Sequence, residues 1–345
     1  MSSIRERFEA EMPSHFFLSE DIDQVEAYLI EQRIMPRKRL MKKGATIDRI
    51  ETLSIGEMDY VVRVHFGEGL QPHGPRVILK QARPWIEQHS SIVAPVSRSR
   101  AEAGFLKMVS RVPELVEASP KLIHQDPGNH VMVVHDFDEG NDLSGLYKGE
   151  SLAREVNGGE DLLTALVGYL NTLHAHFVLN PPVRPVVNKG MRKLNHEQMF
   201  VLPFQGSSAF AKTLDPSIQK RVAELGERYL DMKAGGTLLH GDFSPGSFRI
   251  ATDERKSLLV IDPESCFSGP PEFDFGVFAA HLYLSGNESE VERAKELYSG
   301  KLDEQLWKGY AGVEMIRSLF GAVQIPLKEE NSESFLTTAK RLIHS

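Results

Sequence analysis

Three carboxylates that lie close together in the sequence could take part in one reaction. Asp242 ends the triplet His240-Gly241-Asp242, and Asp262 and Glu264 follow 20 and 22 residues later. The residues between them read as a strand, a turn and a returning strand, and such a hairpin would bring the acids close together. Phosphoryl transfer needs this arrangement, because one acid takes the proton of an acceptor hydroxyl while others hold Mg²⁺ on the nucleotide phosphates. If Asp262 and Glu264 alternate along a strand, they point the same way, and we expect both to face the metal.

Lys80 is the second candidate, because it stands in the apolar strand pattern VILKQ, where an unpaired ammonium group would be costly to bury. The position makes sense if the lysine reaches phosphate oxygens and a carboxylate on the following helix. Glu102 is that carboxylate, and the two residues would form the strand-lysine and helix-glutamate pair of kinases. A lysine at a strand end is more often merely exposed. The functional interpretation therefore depends on the order of all these residues along the chain.

Two further residues are predicted to support the acids rather than to react. We interpret His240 as a structural hydrogen-bonding residue and not as a base. The run Asp274-Phe275-Gly276 spells the metal-binding triplet of protein kinases, but it lies too far past His240 and follows a Gly-Pro-Pro turn. We therefore predict that Asp274 begins a helix and hydrogen-bonds back to the loop around Asp242.

The elements that must position these residues divide the chain into two parts. In the first part, alternating apolar residues predict a small antiparallel sheet with one inserted helix. Its strands are expected at 48–55, 59–66, 76–82, 121–125 and 130–135, and its helices at 20–34, capped by Ser19, and at 97–111. The second part is mainly helical around one short hairpin, with helices at 159–178, 215–233, 272–285, 289–299 and 302–323.

This pattern predicts an α+β fold with two lobes. The N-terminal lobe would comprise residues 1–136, with a hinge near 134–140, and the C-terminal lobe residues 137–345. The second lobe would hold the catalytic loop 238–247 and the metal site 262–264.

Composition narrows the class of protein. The 345 residues carry a net charge of -8 without a basic block, so we expect no nucleic-acid partner. The single cysteine excludes an intramolecular disulfide and fits a reducing compartment. The first residues do not resemble a signal peptide, and no apolar stretch long enough for a membrane helix is evident. We therefore expect a cytoplasmic protein with a small-molecule substrate and no membrane partner.

Several motifs resemble the aminoglycoside phosphotransferase and choline kinase superfamily, and within it the family of 5-methylthioribose kinases. VILKQARPW resembles the strand with the nucleotide-binding lysine, and RSRAEAGFL resembles the helix with its paired glutamate. VVHDFDE resembles the hinge, LLHGDFSPGS the catalytic loop, and VIDPESCFSGPPEFDFG the metal-binding run. EMIRSLFGAVQI is similar to the helix whose arginine pair holds the substrate sugar. The resemblance implies a protein-kinase-like fold.

The resemblance also implies roles for individual residues. Asp242 would be the catalytic base and would contact the substrate, Asp262 and Glu264 would bind Mg²⁺, and Arg317 would meet the substrate. ATP would be bound by Lys80, Glu102, Asp59, Ser247 and the backbone at His135 and Phe137. The implied reaction is phosphorylation of 5-methylthioribose to its 1-phosphate in methionine salvage. A homodimer is expected by analogy alone.

The chain departs from the family pattern at several places, two of which bear directly on the ATP and substrate sites. Its glycine-rich loop reads Ser-Ile-Gly-Glu-Met-Asp over residues 54–59, with one glycine and an acid at the end. Negative charge at Asp59 should weaken ATP binding unless the side chain faces away or binds metal. The arginine pair has become Arg317-Ser318. Two alternatives stay open: a kinase of another sugar, an amino alcohol or an aminoglycoside, and a catalytically degenerate protein that binds a nucleotide or sugar.

Overall fold

The protein forms two compact units in a computed structural model. The model describes residues 4–12, 14–35, 47–53, 58–67, 76–136, 140, 142–205, 214–231, 236–322, 324–325, 327 and 332–345. The first unit is Met1–Arg111 with Pro120–Phe137, and the second is Val112–Ser119 with Asp138–Ser345. The sequence analysis assigned residues 112–119 to the first lobe. They group with the second unit, where the carbonyl of Ala118 accepts a 2.8 Å hydrogen bond from the Val260 N–H.

The helices and strands of the described residues are numbered in chain order. The helices are α1 Ile4–Glu11, α2 Ile22–Glu31, α3 Arg98–Val109, α4 Pro113–Val116, α5 Leu162–Leu179, α6 Lys189–His196, α7 Pro216–Leu230, α8 Glu272–Leu284, α9 Ser289–Leu297, α10 Glu304–Phe320 and α11 Ser332–His344. The strands are β1 Ile47–Thr52, β2 Tyr60–Phe66, β3 Arg76–Gln81, β4 Trp85–Ile86, β5 His89–Val93, β6 Leu122–Asp126, β7 Val131–His135, β8 Glu155–Val156, β9 Glu160–Asp161, β10 Thr237–Leu239, β11 Phe248–Ile250, β12 Leu258–Val260 and β13 Phe267–Gly269.

The first unit is built on a five-stranded antiparallel sheet in the order β1-β2-β3-β7-β6. Because side chains alternate between the faces of a strand, Val62, Leu79 and Val133 share one face and pack into a core with Leu29 of α2. Lys80 is one residue out of phase with Leu79, so it lies on the other face of the sheet.

The predicted cap of the first long helix was wrong. Asp21, and not Ser19, is the N-cap of α2, and its carboxylate accepts the Gln24 N–H at 3.0 Å. Ser19 instead donates its hydroxyl to the Gln24 side chain at 2.8 Å. The aspartate is favoured because it stands immediately before the first helical residue, where a carboxylate also meets the positive end of the helix dipole.

The second unit is mainly helical, and α5 is one of its core helices. Asp161 caps this helix by accepting the Thr164 N–H at 3.1 Å. By length and composition α5 could cross a membrane, contrary to the expectation that no stretch approaches that length. Ten of its 18 residues are buried inside the protein, which is typical of a core helix.

Two short antiparallel pairs of strands carry the acids singled out in the sequence. Strand β11 pairs with β12, as the predicted hairpin requires, whereas β10 pairs with β13, which the sequence analysis missed. Asp242 follows β10, and Asp262 follows β12. The loop 240–247 and the turn 261–266 thus lie at the ends of short, buried strands.

Candidate active site

In the first unit, Lys80 and Glu102 form a buried ion pair. Strand β3 carries the lysine and helix α3 carries the glutamate, and Lys80 Nζ lies 3.0 Å from Glu102 Oε2. The two side chains are only 8% and 5% exposed, so solvent screens their attraction little. The structure therefore brings together the two residues that the sequence pattern paired. Their role in nucleotide binding stays a prediction.

Asp59 joins this pair, and Arg98 completes a cluster that the sequence analysis missed. Arg98 is fully buried, and its Nε lies 2.6 Å from Asp59 Oδ1. The other oxygen of Asp59 lies 3.7 Å from Lys80 Nζ. Arg98 also donates to the carbonyl of Met58 at 3.1 Å. Spacing offered a signal: Arg98 and Glu102 are four residues apart and therefore share one face of α3.

The cluster changes the interpretation of the acid at the end of the glycine-rich loop. From the sequence, the charge of Asp59 is expected to weaken ATP binding unless the side chain faces away or binds metal. Instead two cations, Arg98 and Lys80, lie beside its carboxylate. Residues 54–57 of the loop lie outside the described residues, so only its last two positions, Met58 and Asp59, are placed.

Replacing Asp59 with asparagine should lower the free energy of unfolding of the first unit by about 3 kcal/mol, because it leaves the buried Arg98 charge without its carboxylate. Urea unfolding can follow the fluorescence of Trp85, which lies in this unit, in a Trp307→Phe background. The matched control is Glu51→Gln, whose side chain is 45% exposed and pairs with Arg63 at 3.6 Å. The control substitution should lower the free energy of unfolding by less than about 1 kcal/mol. Equal losses of unfolding free energy in the two variants would mean that the buried Asp59–Arg98 pair stabilises the unit no more than an exposed ion pair does.

The predicted hinge is described only in part. His135 ends β7, and its N–H donates to the carbonyl of Lys121 at 3.0 Å, whereas Phe137 lies outside the described residues. Asp136 follows His135, and its carboxylate lies 2.9 Å from Nε of both Arg63 and Arg76, two ion pairs that the sequence pattern did not indicate. Ion pairs from strands β2 and β3 thereby hold Asp136, the first residue after β7, in place. Adenine binding by the backbone here stays a prediction.

In the second unit, Asp274 anchors the loop that carries Asp242. Asp274 lies in the first turn of α8, fully buried, and its two oxygens accept the N–H groups of His240 at 2.7 Å and Gly241 at 2.9 Å. His240 Nε2 lies 2.9 Å from the carbonyl of Ile261, so the ring donates to the neighbouring strand end. The histidine thus holds two segments together and does not point outward as a base.

Gly241 is required by the close approach of two backbones. Its φ is 85°, and a Cβ at this position would lie 2.2 Å from the carbonyl oxygen of Ser265. No other residue fits there without moving the turn 263–265. The glycine therefore lets the loop pass directly over that turn. This contact fixes the position of the backbone at Asp242, the next residue.

Asp242 itself is exposed to solvent at the end of this rigid loop. Desolvation by the surrounding protein raises the pKa of its carboxyl, and the charge of Arg317 is the largest influence that opposes this rise. Water at the exposed side chain weakens both effects. A solvent-accessible carboxylate with a raised pKa and a nearby cation is suited to accept a proton from a bound hydroxyl.

Ser247 and the turn with Asp262 and Glu264 lie next to the loop. The Ser247 hydroxyl donates to the carbonyl of Asp242 at 2.8 Å, and the Ser247 carbonyl accepts the N–H of Ile261 at 2.9 Å. These contacts tie the loop to the end of β12. The hydroxyl retains lone pairs, but its hydrogen bond goes to the loop backbone. Its role toward the cofactor stays a prediction.

The prediction that Asp262 and Glu264 alternate along a strand was wrong. Strand β12 ends at Val260, and Asp262 adopts a left-handed conformation with φ 59°. Glu264 lies in the 3₁₀ turn Pro263–Ser265 that follows and is 8% exposed. Pro263, which has no N–H to donate to a sheet, ends the strand pattern here. Two carboxylates in one tight turn still form a donor set that suits Mg²⁺.

Asn188 holds this turn from outside, and the sequence analysis gave no indication of it. Its side-chain amide donates to the carbonyl of Glu264 at 2.8 Å and to that of Cys266 at 3.0 Å. Asn188 has φ 40°, a conformation that asparagine tolerates better than most residues. A residue more than 70 positions away thereby fixes the backbone of a predicted metal ligand.

Arg317 lies in the last turn of α10 and is 24% exposed. Its Nε donates to Glu314 Oε2 at 2.8 Å. Through the influence of its charge on the Asp242 carboxyl, it is part of the same electrostatic surroundings. The sequence analysis predicted Arg317 for substrate binding but overlooked the buried Glu314 beside it.

The fold is that of small-molecule phosphotransferases. The structure of spectinomycin phosphotransferase in complex with ADP and spectinomycin aligns with a TM-score of 0.53 at 12% identity, covering 95% of this chain and 99% of that chain. The predicted α+β, protein-kinase-like fold is thus confirmed.

The chain belongs to the phosphotransferase enzyme family, whose model matches residues 53–313. Methylthioribose kinase from Bacillus pumilus is 28% identical over 70% of this chain and 62% of its own length. Methylthioribose kinase from Exiguobacterium sibiricum is 25% identical over 90% of this chain and 89% of its own length. The predicted phosphotransferase family is thus confirmed.

Proposed function

We propose that this chain is an ATP- and Mg²⁺-dependent kinase that phosphorylates a hydroxyl group of 5-methylthioribose. The observation that carries the proposal is the anchored loop that ends in Asp242, an exposed carboxylate with a raised pKa and the charge of Arg317 nearby. The relatives that are named methylthioribose kinase support the choice of sugar. The ADP complex of the spectinomycin phosphotransferase supports an adenine nucleotide as the phosphoryl donor.

In the proposed mechanism, Asp242 accepts the proton of the acceptor hydroxyl as its oxygen bonds to the γ-phosphorus of ATP. The bond from that phosphorus to the bridging oxygen breaks, ADP leaves, and the proton passes from Asp242 to solvent. Lys80, held by Glu102, would bind phosphate oxygens. Asp262 and Glu264 would hold Mg²⁺, which neutralises charge on the phosphates when bound. Positioning and electrostatics then supply most of the rate enhancement.

The alternative of a degenerate binding protein was motivated by the altered glycine-rich loop. Arg98 and Lys80 lie beside the Asp59 carboxylate and offset its negative charge. The charge of Asp59 is therefore no longer a reason to expect weak ATP binding. A cytoplasmic location remains part of the proposal, because ATP is abundant there and a chain with a single, buried cysteine fits a reducing compartment. A homodimer is likewise proposed by analogy alone.

An acceptor panel tests this function. Purified protein with Mg-ATP should release ADP rapidly with 5-methylthioribose, and at least about a hundredfold more slowly with ribose, choline, homoserine or spectinomycin. A coupled assay measures the rates, with Asp242→Asn as the inactive control. Turnover of choline or spectinomycin instead would replace the proposed acceptor. ADP binding in a thermal-shift assay without turnover of any acceptor would favour the binding-protein alternative.

A further inference from the structure

Glu314 is a buried carboxylate that the proposed chemistry does not use. It is 2% exposed, and it lies one helical turn before Arg317 on α10. Arg317 donates to it through two nitrogens, Nε to Oε2 at 2.8 Å and Nη2 to Oε1 at 2.5 Å. Two parallel bonds of this kind fix the plane of a guanidinium group as well as its position.

Residues of two other elements, helix α8 and the 3₁₀ turn Ser144–Lys148, support the position of Glu314. His281 on α8 is 2% exposed, and its Nε2 lies 3.2 Å from Glu314 Oε1. Tyr147, in the 3₁₀ turn Ser144–Lys148, lies with its hydroxyl 2.7 Å from His281 Nδ1. If the tyrosine donates to Nδ1, the ring proton is on Nε2, the nitrogen that lies 3.2 Å from the carboxylate oxygen. Ser318 also donates its hydroxyl to Glu314 Oε1 at 3.2 Å.

Glu314 stays ionised despite its burial. Desolvation alone would raise the pKa of its carboxyl, but Arg317 and His281 hold it at about 2. A buried carboxylate charge is tolerated only where its partners compensate it. Packing between helices alone would not require it, because an apolar side chain of similar size could make the same contact. The three polar partners of Glu314, which are Arg317, His281 and Ser318, therefore indicate that this arrangement serves to fix the Arg317 guanidinium.

We infer that Glu314, supported by His281 and Tyr147, is a positioning residue that orients the Arg317 guanidinium for the phosphoryl acceptor. The inference rests on the proposed function and on the predicted contact of Arg317 with the acceptor. A partly exposed arginine side chain otherwise samples many rotamers, and ordering it at the moment of binding would weaken affinity. Bonds to Glu314 order it beforehand. The expected consequence is confined to acceptor binding, since nucleotide groups are assigned to other residues.

A double-mutant cycle tests the inference. Glu314→Gln keeps the size of the side chain but removes its charge, and it should raise the KM of the acceptor about tenfold. The kcat at saturating acceptor and the affinity for ADP should change less than about threefold. In an Arg317→Gln background, which should itself raise the acceptor KM, adding Glu314→Gln should change it by less than about twofold, because residues that act as a unit are not additive.

Two further variants keep the result interpretable. Tyr147→Phe removes only a hydroxyl and leaves Glu314 in place; it should raise the acceptor KM by about threefold, and only when Arg317 is present. Glu304→Gln is the matched control, because Glu304 begins the same helix and pairs with Lys308 at 2.7 Å, with its side chain 53% exposed. The control should leave the acceptor KM unchanged.

The outcomes separate the inference from the proposed function. Independent, multiplying effects of Glu314→Gln and Arg317→Gln would overturn the inference. So would an unchanged acceptor KM in both Glu314→Gln and Tyr147→Phe while Arg317→Gln raises it. In either case the kinase activity itself stands. An acceptor KM that is insensitive to Arg317→Gln would overturn the acceptor role of Arg317 and the inference together, and absence of turnover in the wild type would overturn the proposed function.

Discussion

Replacing Asp242 with asparagine is expected to lower kcat by about a thousandfold, while ADP affinity stays within about twofold of the wild type. Asparagine has nearly the same shape, so the loop held by Asp274 should keep its conformation. The amide cannot take the proton of an acceptor hydroxyl, and it lacks the charge that orients this hydroxyl. Steady-state kinetics with the best acceptor and equilibrium binding of ADP measure the two quantities.

The pH dependence of the wild type provides a second check on Asp242. Its pKa is raised by desolvation, and activity requires the ionised form, so kcat/KM should fall on the acid side at a pH above the ordinary range of an aspartate. This acid limb should vanish from the residual activity of Asp242→Asn. If the variant keeps its rate within a few-fold, or keeps the acid limb, another group is the base.

Replacing Asp274 with asparagine is expected to lower the free energy of unfolding of the second unit by about 4 kcal/mol and to reduce kcat by about a hundredfold. The carboxylate accepts two buried N–H groups, from His240 and Gly241, with one oxygen each. An amide has one accepting oxygen, so its NH₂ group must face one of these donors, and a buried N–H loses its partner. His174 Nε2, 3.2 Å from the carboxylate, also loses a charged neighbour.

Urea unfolding can measure the stability of this unit through the fluorescence of Trp307, in a Trp85→Phe background. Asp253→Asn is the matched control, because Asp253 is exposed and accepts only from a short surface turn. Asp253→Asn should lower the free energy of unfolding by less than about 1 kcal/mol and leave kcat unchanged. A loss in Asp274→Asn that is no larger than in the control would mean that the loop does not depend on this anchor.

Patterns over a few neighbouring residues made much of the fold predictable. Alternating apolar residues identified β2, β3 and β7, and the same alternation put Lys80 on the opposite face from Leu79. Helical spacing identified α3 and placed Glu102 on it. Elements too short to show a period, such as β13, were missed, because three residues cannot display an alternation.

Local rules also failed where two signals compete. Ser19 and Asp21 are both good capping residues, and only the position of the first helical residue decides between them. The run from Asp262 to Glu264 continues a strand pattern, yet Pro263 and the left-handed Asp262 turn the chain away. In both cases the residue type is readable, but the backbone conformation depends on contacts made elsewhere.

By itself the sequence determined which side chains are available for chemistry and in what order: Lys80, Glu102, Asp242, Asp262 and Glu264, carried on a small sheet, a helix and two tight turns. Only the tertiary structure decided what holds them. Arg98 compensates Asp59 across 39 positions, Asp274 anchors the loop of Asp242 across 33 and 34, and Glu314 meets His281 from another helix. These partners are distant in the chain and have no fixed spacing, so no periodic pattern encodes them. Each pairing exists because burying a charge or an N–H group without a partner is too costly, and folding selects the arrangement that satisfies them all.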